Sequence, residues 1–205
     1  MLPPDLPRLA EQIRSCQRCP LGRLRTQAVP GEGRADAELM FVGEGPGFHE
    51  DRQGRPFVGS SGQLLEGLLQ SIGLARQDCF IANVIKCRPP ENRDPLPQEI
   101  EACKPYLEQQ IALIDPLLIV TLGRFSMAHF FPPTARITRV HGQPLHLERC
   151  IVLPLYHPAA VLRNPGWRQD LVVDFAKIPA LLAEARQLRQ PPPPPPPTFE
   201  QLTLL

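Results

Sequence analysis

Long apolar runs and net charge are both scarce in this chain. No stretch approaches the ~20 apolar residues that a membrane-crossing helix needs. The opening Met1-Leu2-Pro3-Pro4-Asp5 lacks the basic start and apolar run of a secretory signal. These absences point to a cytoplasmic protein with no membrane partner, in which the six cysteines are expected as thiols rather than disulfides. A formal net charge of +1, from 22 Lys and Arg against 21 Asp and Glu, supplies no global field to attract a polyanion. If nucleic acid is the partner, arginines must be gathered on one face. No internal repeat is visible.

The 205 residues, 42% of them apolar, suit one domain with a substantial core. Seven of the 27 prolines form one run, Pro191 to Pro197. A polyproline II run of that length holds its ends about 22 Å apart and cannot join a core. The reading is therefore a folded body over 1–190, a stiff linker over 191–197, and a short apolar peptide over 198–205.

Within the body, Leu39 to Val42, Phe80 to Ile85, Leu117 to Leu122 and Ile151 to Leu155 are short aliphatic runs bounded by Gly, Pro or charged residues, as buried parallel strands are. Helical spacing lies between them. Gly62 to Ile72 carries leucines at 64, 65, 68 and 69, with Ser60 or Ser61 as the expected cap and Gly73 as the stop. Further helices are expected over 97–114, broken or kinked at Pro105, over 124–131 and over 169–188. This order predicts an α/β fold, a three-layer α/β/α sandwich around a central, mainly parallel four-stranded sheet. Ligands in such folds bind beyond the carboxyl ends of the strands.

Four cysteines sit as Cys16-x-x-Cys19, Cys87 and Cys103. A two-residue gap lets two thiolates converge on one metal centre, and two distant halves close a four-thiolate site that clips the N-terminus to the body. Spacing alone leaves zinc and iron–sulfur both open. Cys79 and Cys150 lie in the strand-like runs CFIANVI and CIVLPL and read as small buried hydrophobes.

The segments after the strands are unusual. Gly43-Glu44-Gly45-Pro46-Gly47 follows the first, a loop that lets a ligand approach backbone and that carries one carboxylate. Asn83 stands near the end of the second and His157 after the fourth, two convergent polar groups suited to a small planar ligand.

Taken together, GEGPG at 43–47, GRPFVG at 54–59, NVIKCRPP at 83–90 and HPAAVLRNP at 157–165 resemble the motifs of the family-four uracil-DNA glycosylases, the iron–sulfur branch of the uracil-DNA glycosylase superfamily. The cysteine quartet falls where that family's cluster ligands fall. The resemblance covers about residues 10 to 188. It implies hydrolysis of the N-glycosidic bond of a uracil flipped out of DNA, in a monomer holding a structural [4Fe-4S] cluster on Cys16, Cys19, Cys87 and Cys103.

The family's residue roles carry over by position. Phe57 looks like the ring that stacks on the flipped base. Asn83 resembles the uracil reader, donating to O4 and accepting from N3–H, a pattern that cytosine mismatches. His157 matches the histidine whose N–H stabilises charge developing on O2, with backbone N–H groups around Glu44 and Gly45 assisting. A sister branch places a water-orienting aspartate where this chain has Gly45, so Glu44 is the nearest candidate for that role. Where the best-known branch has an aromatic residue that excludes thymine, this chain has Gly47, and Glu50 is assigned instead. Val161 or Leu162 is expected as the wedge that fills the hole in the duplex. Arg88, Lys86 and Arg163 are expected on phosphate, whereas Arg52, Arg55 and Arg93 equally suit solvated loops.

Two other readings compete. One is a zinc-stapled nucleic-acid-binding module without catalysis. The other is a sister enzyme that traps the sugar through a histidine, but PPENRDPLPQE carries none. At the C-terminus, Gln201-Leu202-Thr203-Leu204-Leu205 resembles the Gln-Leu-x-Leu-Phe peptide that docks bacterial repair proteins on the sliding clamp. That resemblance assigns clamp binding to Gln201, Leu202, Leu204 and Leu205, displayed on the proline stalk.

Overall fold

A computed structural model describes residues 5–189. The proline run and the terminal peptide with Gln201, Leu202, Leu204 and Leu205 lie outside the described residues. A six-stranded sheet is ordered β1-β3-β2-β4-β6-β5. Its strands are β1 Glu32–Gly33, β2 Leu39–Gly43, β3 Phe80–Asn83, β4 Leu118–Leu122, β5 Leu145–His146 and β6 Ile151–Leu155. The inner four pair in parallel, and each outer two-residue strand pairs antiparallel. The four expected strands are thus the core of the sheet, and the two short edges are additions that too few residues announce.

The inner strands are buried along their whole length, which is why they read as continuous apolar runs rather than alternating ones. Helices cover both faces. Phe41, Ile81, Val120 and Leu153 pack under α4 Ser60–Ser71, α9 Arg168–Phe175 and α10 Ile178–Arg189. Met40, Phe80, Ile119 and Val152 face α5 Pro97–Ile114 through Cys103, Leu107 and Ile114. Short helices complete the chain: α1 Leu6–Ser15, α2 Leu21–Leu24, α3 Phe48–Gln53, α6 Arg124–Met127, α7 Ile137–Val140 and α8 Pro158–Arg163.

Several local expectations need correcting. Pro105 does not break α5, which runs on for 18 residues. The carbonyl it leaves without a donor belongs to Glu101, which is exposed and can turn to water. The cap of α4 is Gly59, not a serine: its carbonyl accepts from Gly62 N (2.9 Å) and Gln63 N (3.0 Å). The stop at Gly73 holds, with φ +75°, a left-handed geometry that glycine adopts freely. The helix expected over 124–131 closes at Met127, and that over 169–188 divides at Ala176 and Lys177 into α9 and α10.

Candidate active site

The carboxyl ends of β2, β3, β4 and β6 open into a cleft of about 660 Å³ lined by Glu44, Gly45, Glu50, Phe57, Asn83, His157 and Arg163 among others. Strand register explains much of this convergence. Gly43 ends β2 directly beside Asn83 at the end of β3. A Cβ at Gly43 would strike the Asn83 amide oxygen and come within 2.7 Å of the Phe57 ring. Glycine there is what lets the reading amide and the ring share one floor. Asn83 is buried, and its Oδ1 has no hydrogen-bond partner. A buried acceptor left unpaired costs about 1–3 kcal/mol, so the cleft holds an acceptor that a ligand donor would satisfy.

Phe57 adopts φ +52°, an unfavourable conformation for a residue with a side chain. Its surroundings enforce it. Arg76 Nη1 donates to Phe57 O (3.0 Å) and Nη2 to Pro56 O. Gly62 presses so closely on the Phe57 carbonyl that a Cβ would overlap it. The ring stacks on His157 with centroids 5.7 Å apart.

His157 caps α8, and its Nδ1 accepts from Ala159 N at 3.0 Å. The proton of the neutral ring therefore sits on Nε2, a donor fixed by the helix that follows. Burial, helped by the Arg163 charge and opposed by Glu50, pushes the imidazolium pKa down to about 4. The ring is neutral near pH 7.

Glu44 accepts from Phe125 N (3.1 Å) at the start of α6. Burial raises its carboxyl above the usual 4.5, outweighing that hydrogen bond and the Arg124 charge. A carboxylate raised in this way is a better proton acceptor than an exposed one. Glu50 is fully engaged: Oε1 accepts from Val58 N (2.9 Å) and Gly59 N (3.0 Å), and Oε2 from Gly47 N (3.1 Å). Its Oε2 would lie 2.8 Å from a Cβ on Gly47, so Glu50 fills the space that a side chain at 47 would take.

On the DNA face, burial removes Val161 and Lys86 as candidates and leaves Leu162 as the wedge candidate. Val161 is buried in the core beneath α8 and cannot leave it to enter a duplex, whereas Leu162 is 47% exposed. Lys86 is buried, its Nζ donating to Asn83 O (2.7 Å) and Gln110 Oε1 (2.6 Å), and cannot reach a phosphate. It holds the Asn83 backbone instead. Arg55 and Arg93 are bound bidentately by Glu32 and Glu99. Arg52, Arg88 and Arg163 have no carboxylate partner among the described residues, and Arg163 is exposed at the cleft.

The sequence also gave no warning of Arg76, far from the motifs, or of the stacked Tyr156 and Trp167 rings (4.8 Å) on the cleft wall.

A second cavity gathers Cys16, Cys19, Cys87 and Cys103. Leu9 and Ile13 of α1 pack beside Tyr106 of α5, which carries Cys16 at the end of α1 towards Cys103. Two of the sulfurs have donors: Arg25 Nη1 to Cys87 Sγ (2.9 Å) and Arg18 N to Cys16 Sγ (3.5 Å). Such donors suit anionic thiolates. Among the described residues no group of three or more His, Cys, Asp or Glu side chains is arranged to hold a single metal ion. Cys79 is buried as expected, its thiol pushed up to about 12 by burial; Cys150 is only partly buried.

An α/β sandwich with a cleft beyond the carboxyl ends of its parallel strands defines the class, and residues 30–182 match the uracil DNA glycosylase superfamily. The type-4 uracil-DNA glycosylase of Sulfurisphaera tokodaii is 50% identical over 186 residues, 86% of this chain and 84% of its own length. Those of Saccharolobus solfataricus and Archaeoglobus fulgidus are each 46% identical, covering 87% and 84% of this chain and 87% and 91% of theirs. The chain belongs to the type-4 uracil-DNA glycosylases of that superfamily.

Proposed function

We propose that this protein is a uracil-DNA glycosylase that initiates base excision repair by hydrolysing the bond between uracil and deoxyribose. The observation that carries the reading is the unpaired Asn83 amide oxygen beside Phe57 and the His157 ring. Uracil N3–H supplies the missing donor, and the Asn83 amide N–H donates to O4. As the C1′–N1 bond breaks, its electron pair passes to the base, and the Nε2–H of His157 stabilises the charge on O2. Glu44 positions water and takes its proton as oxygen bonds to C1′, leaving an abasic site. Glu50, in the space beside Gly47, excludes the thymine methyl. Leu162 wedges the duplex, and Arg88 and Arg163 contact phosphate.

Cys16, Cys19, Cys87 and Cys103 hold a [4Fe-4S] cluster. When bound it supplies a cross-link between the N-terminal segment and the loop after Asn83. Four thiols lining one cavity, with the Arg25 guanidinium on Cys87 Sγ, support a thiolate-bound centre there, and the family supports a cluster. The terminal peptide docks on the sliding clamp, and the enzyme works as a cytoplasmic monomer.

The test is Asn83→Asp under single-turnover conditions with uracil-containing oligonucleotide. Replacing the donor with a carboxylate should slow release by on the order of 10- to 100-fold, the worth of one bidentate contact. An unchanged rate would remove Asn83 from base reading.

A further inference from the structure

Phe48 opens α3 on the rim of the cleft and leaves 47% of its surface in solvent. Two guanidinium groups lie over its ring, Arg52 at 5.7 Å and Arg88 at 5.2 Å from the centroid. Arg88 also donates to Asn92 Oδ1 (2.7 Å). Neither arginine has a carboxylate partner among the described residues, although Arg55, Arg93 and Arg124 are paired with Glu32, Glu99 and Asp94. The ring belongs to none of the core clusters, so packing does not account for it. A half-exposed aromatic ring beside cations that no carboxylate neutralises is the combination that holds a single strand: the base stacks on the ring and the arginines take the backbone.

We propose that Phe48 is a stacking platform for the nucleobase next to the extruded uracil on the same strand, with Arg52 and Arg88 on the adjoining phosphates. The proposal rests on the uracil-excision reading. Before DNA arrives the guanidinium groups cover the ring. On binding they exchange that weak contact for charge-assisted bonds to phosphate and release the face to the base. Leu162, on α8, has the separate task of filling the gap in the duplex. A base that stacks on the platform must leave its own stack, so the platform favours flexible or single-stranded targets.

The test uses single-stranded oligonucleotides with a tetrahydrofuran abasic analogue at the target position and 2-aminopurine on its 5′ or its 3′ side. Wild-type protein should quench 2-aminopurine on one of the two sides. Phe48→Ala should abolish that quenching and weaken binding on the order of 10-fold, with an unchanged melting temperature. Phe48→Trp should restore both, and Arg52→Gln with Arg88→Gln should reduce the salt dependence of binding. Equal quenching and affinity in wild type and Phe48→Ala would overturn the platform, as would a Phe48→Trp variant that restores neither. Uracil release by the wild type is measured alongside. If it is absent, the enzymatic reading itself fails; if it is present while Phe48→Ala matches wild type, only the platform does.

Discussion

At the residue scale, the site depends on groups whose titration is moved by burial and whose orientation is fixed by backbone donors. His157 is kept neutral by burial and tautomerically fixed by Ala159 N. His157→Ala removes one transition-state donor and should cost about 2.7–4 kcal/mol in turnover, with little change in DNA affinity; cleavage at the parent rate would refute the assignment. Glu44 titrates above 4.5, whereas His157 protonates only near 4. The proton-accepting form of Glu44 is the carboxylate, so single-turnover rate should fall as pH drops through a value above 4.5, and Glu44→Gln should lack that limb. A limb that survives the substitution would assign it elsewhere. The wedge gives a second residue-level contrast. Val161→Ala should lower stability by roughly 1–3 kcal/mol through a core cavity, seen in thermal melts. Leu162→Ala should melt like the parent yet lose excision from duplex more than from single-stranded DNA; the reverse pattern would exchange their roles.

At the scale of elements, the cleft is made by neighbouring strand ends, and its support comes from segments distant in sequence. Gly43 and Asn83 are adjacent by register, while Glu50, Arg76 and Gly62 hold the Phe57 turn. The inner strands and the leucine-rich α4 were legible because burial on both faces, or on one helical face, leaves a strong pattern. The edge strands were not, since two residues carry no period; the break between α9 and α10 does carry a signal, Pro179 in the first turn of α10, which the apolar spacing running through it overrode. Asn83, Phe57 and His157 could be read from motifs. The burial of Lys86 and Val161 could not, because polarity and neighbourhood in sequence do not say which way a side chain points. The N-terminal helix is the element most dependent on its anchor. Cys87→Ala or Cys103→Ala should give colourless protein of lowered melting temperature, and Cys79→Ala should keep its iron. Iron analysis of the three checks this, and equal loss in all three would refute the ligand set.

For the whole molecule, a net charge of +1 means that attraction to DNA must be local, and the rim arginines that lack carboxylate partners are its proposed carriers. Such a chain gains from tethering, because a second contact raises the local concentration of DNA without altering the site. Deletion of residues 201–205 should abolish binding to purified sliding clamp, measured by surface plasmon resonance. Equal binding by full-length and truncated protein, or by neither, would contradict the assignment. The central claim is that the cleft reads and removes uracil. Its most direct test is to incubate folded protein with end-labelled oligonucleotides that carry one uracil, or thymine at the same position, and then treat them with alkali. The account predicts strand scission at the uracil and none at the thymine. An intact uracil strand, with the protein folded and carrying the iron that the proposed cluster requires, would contradict it.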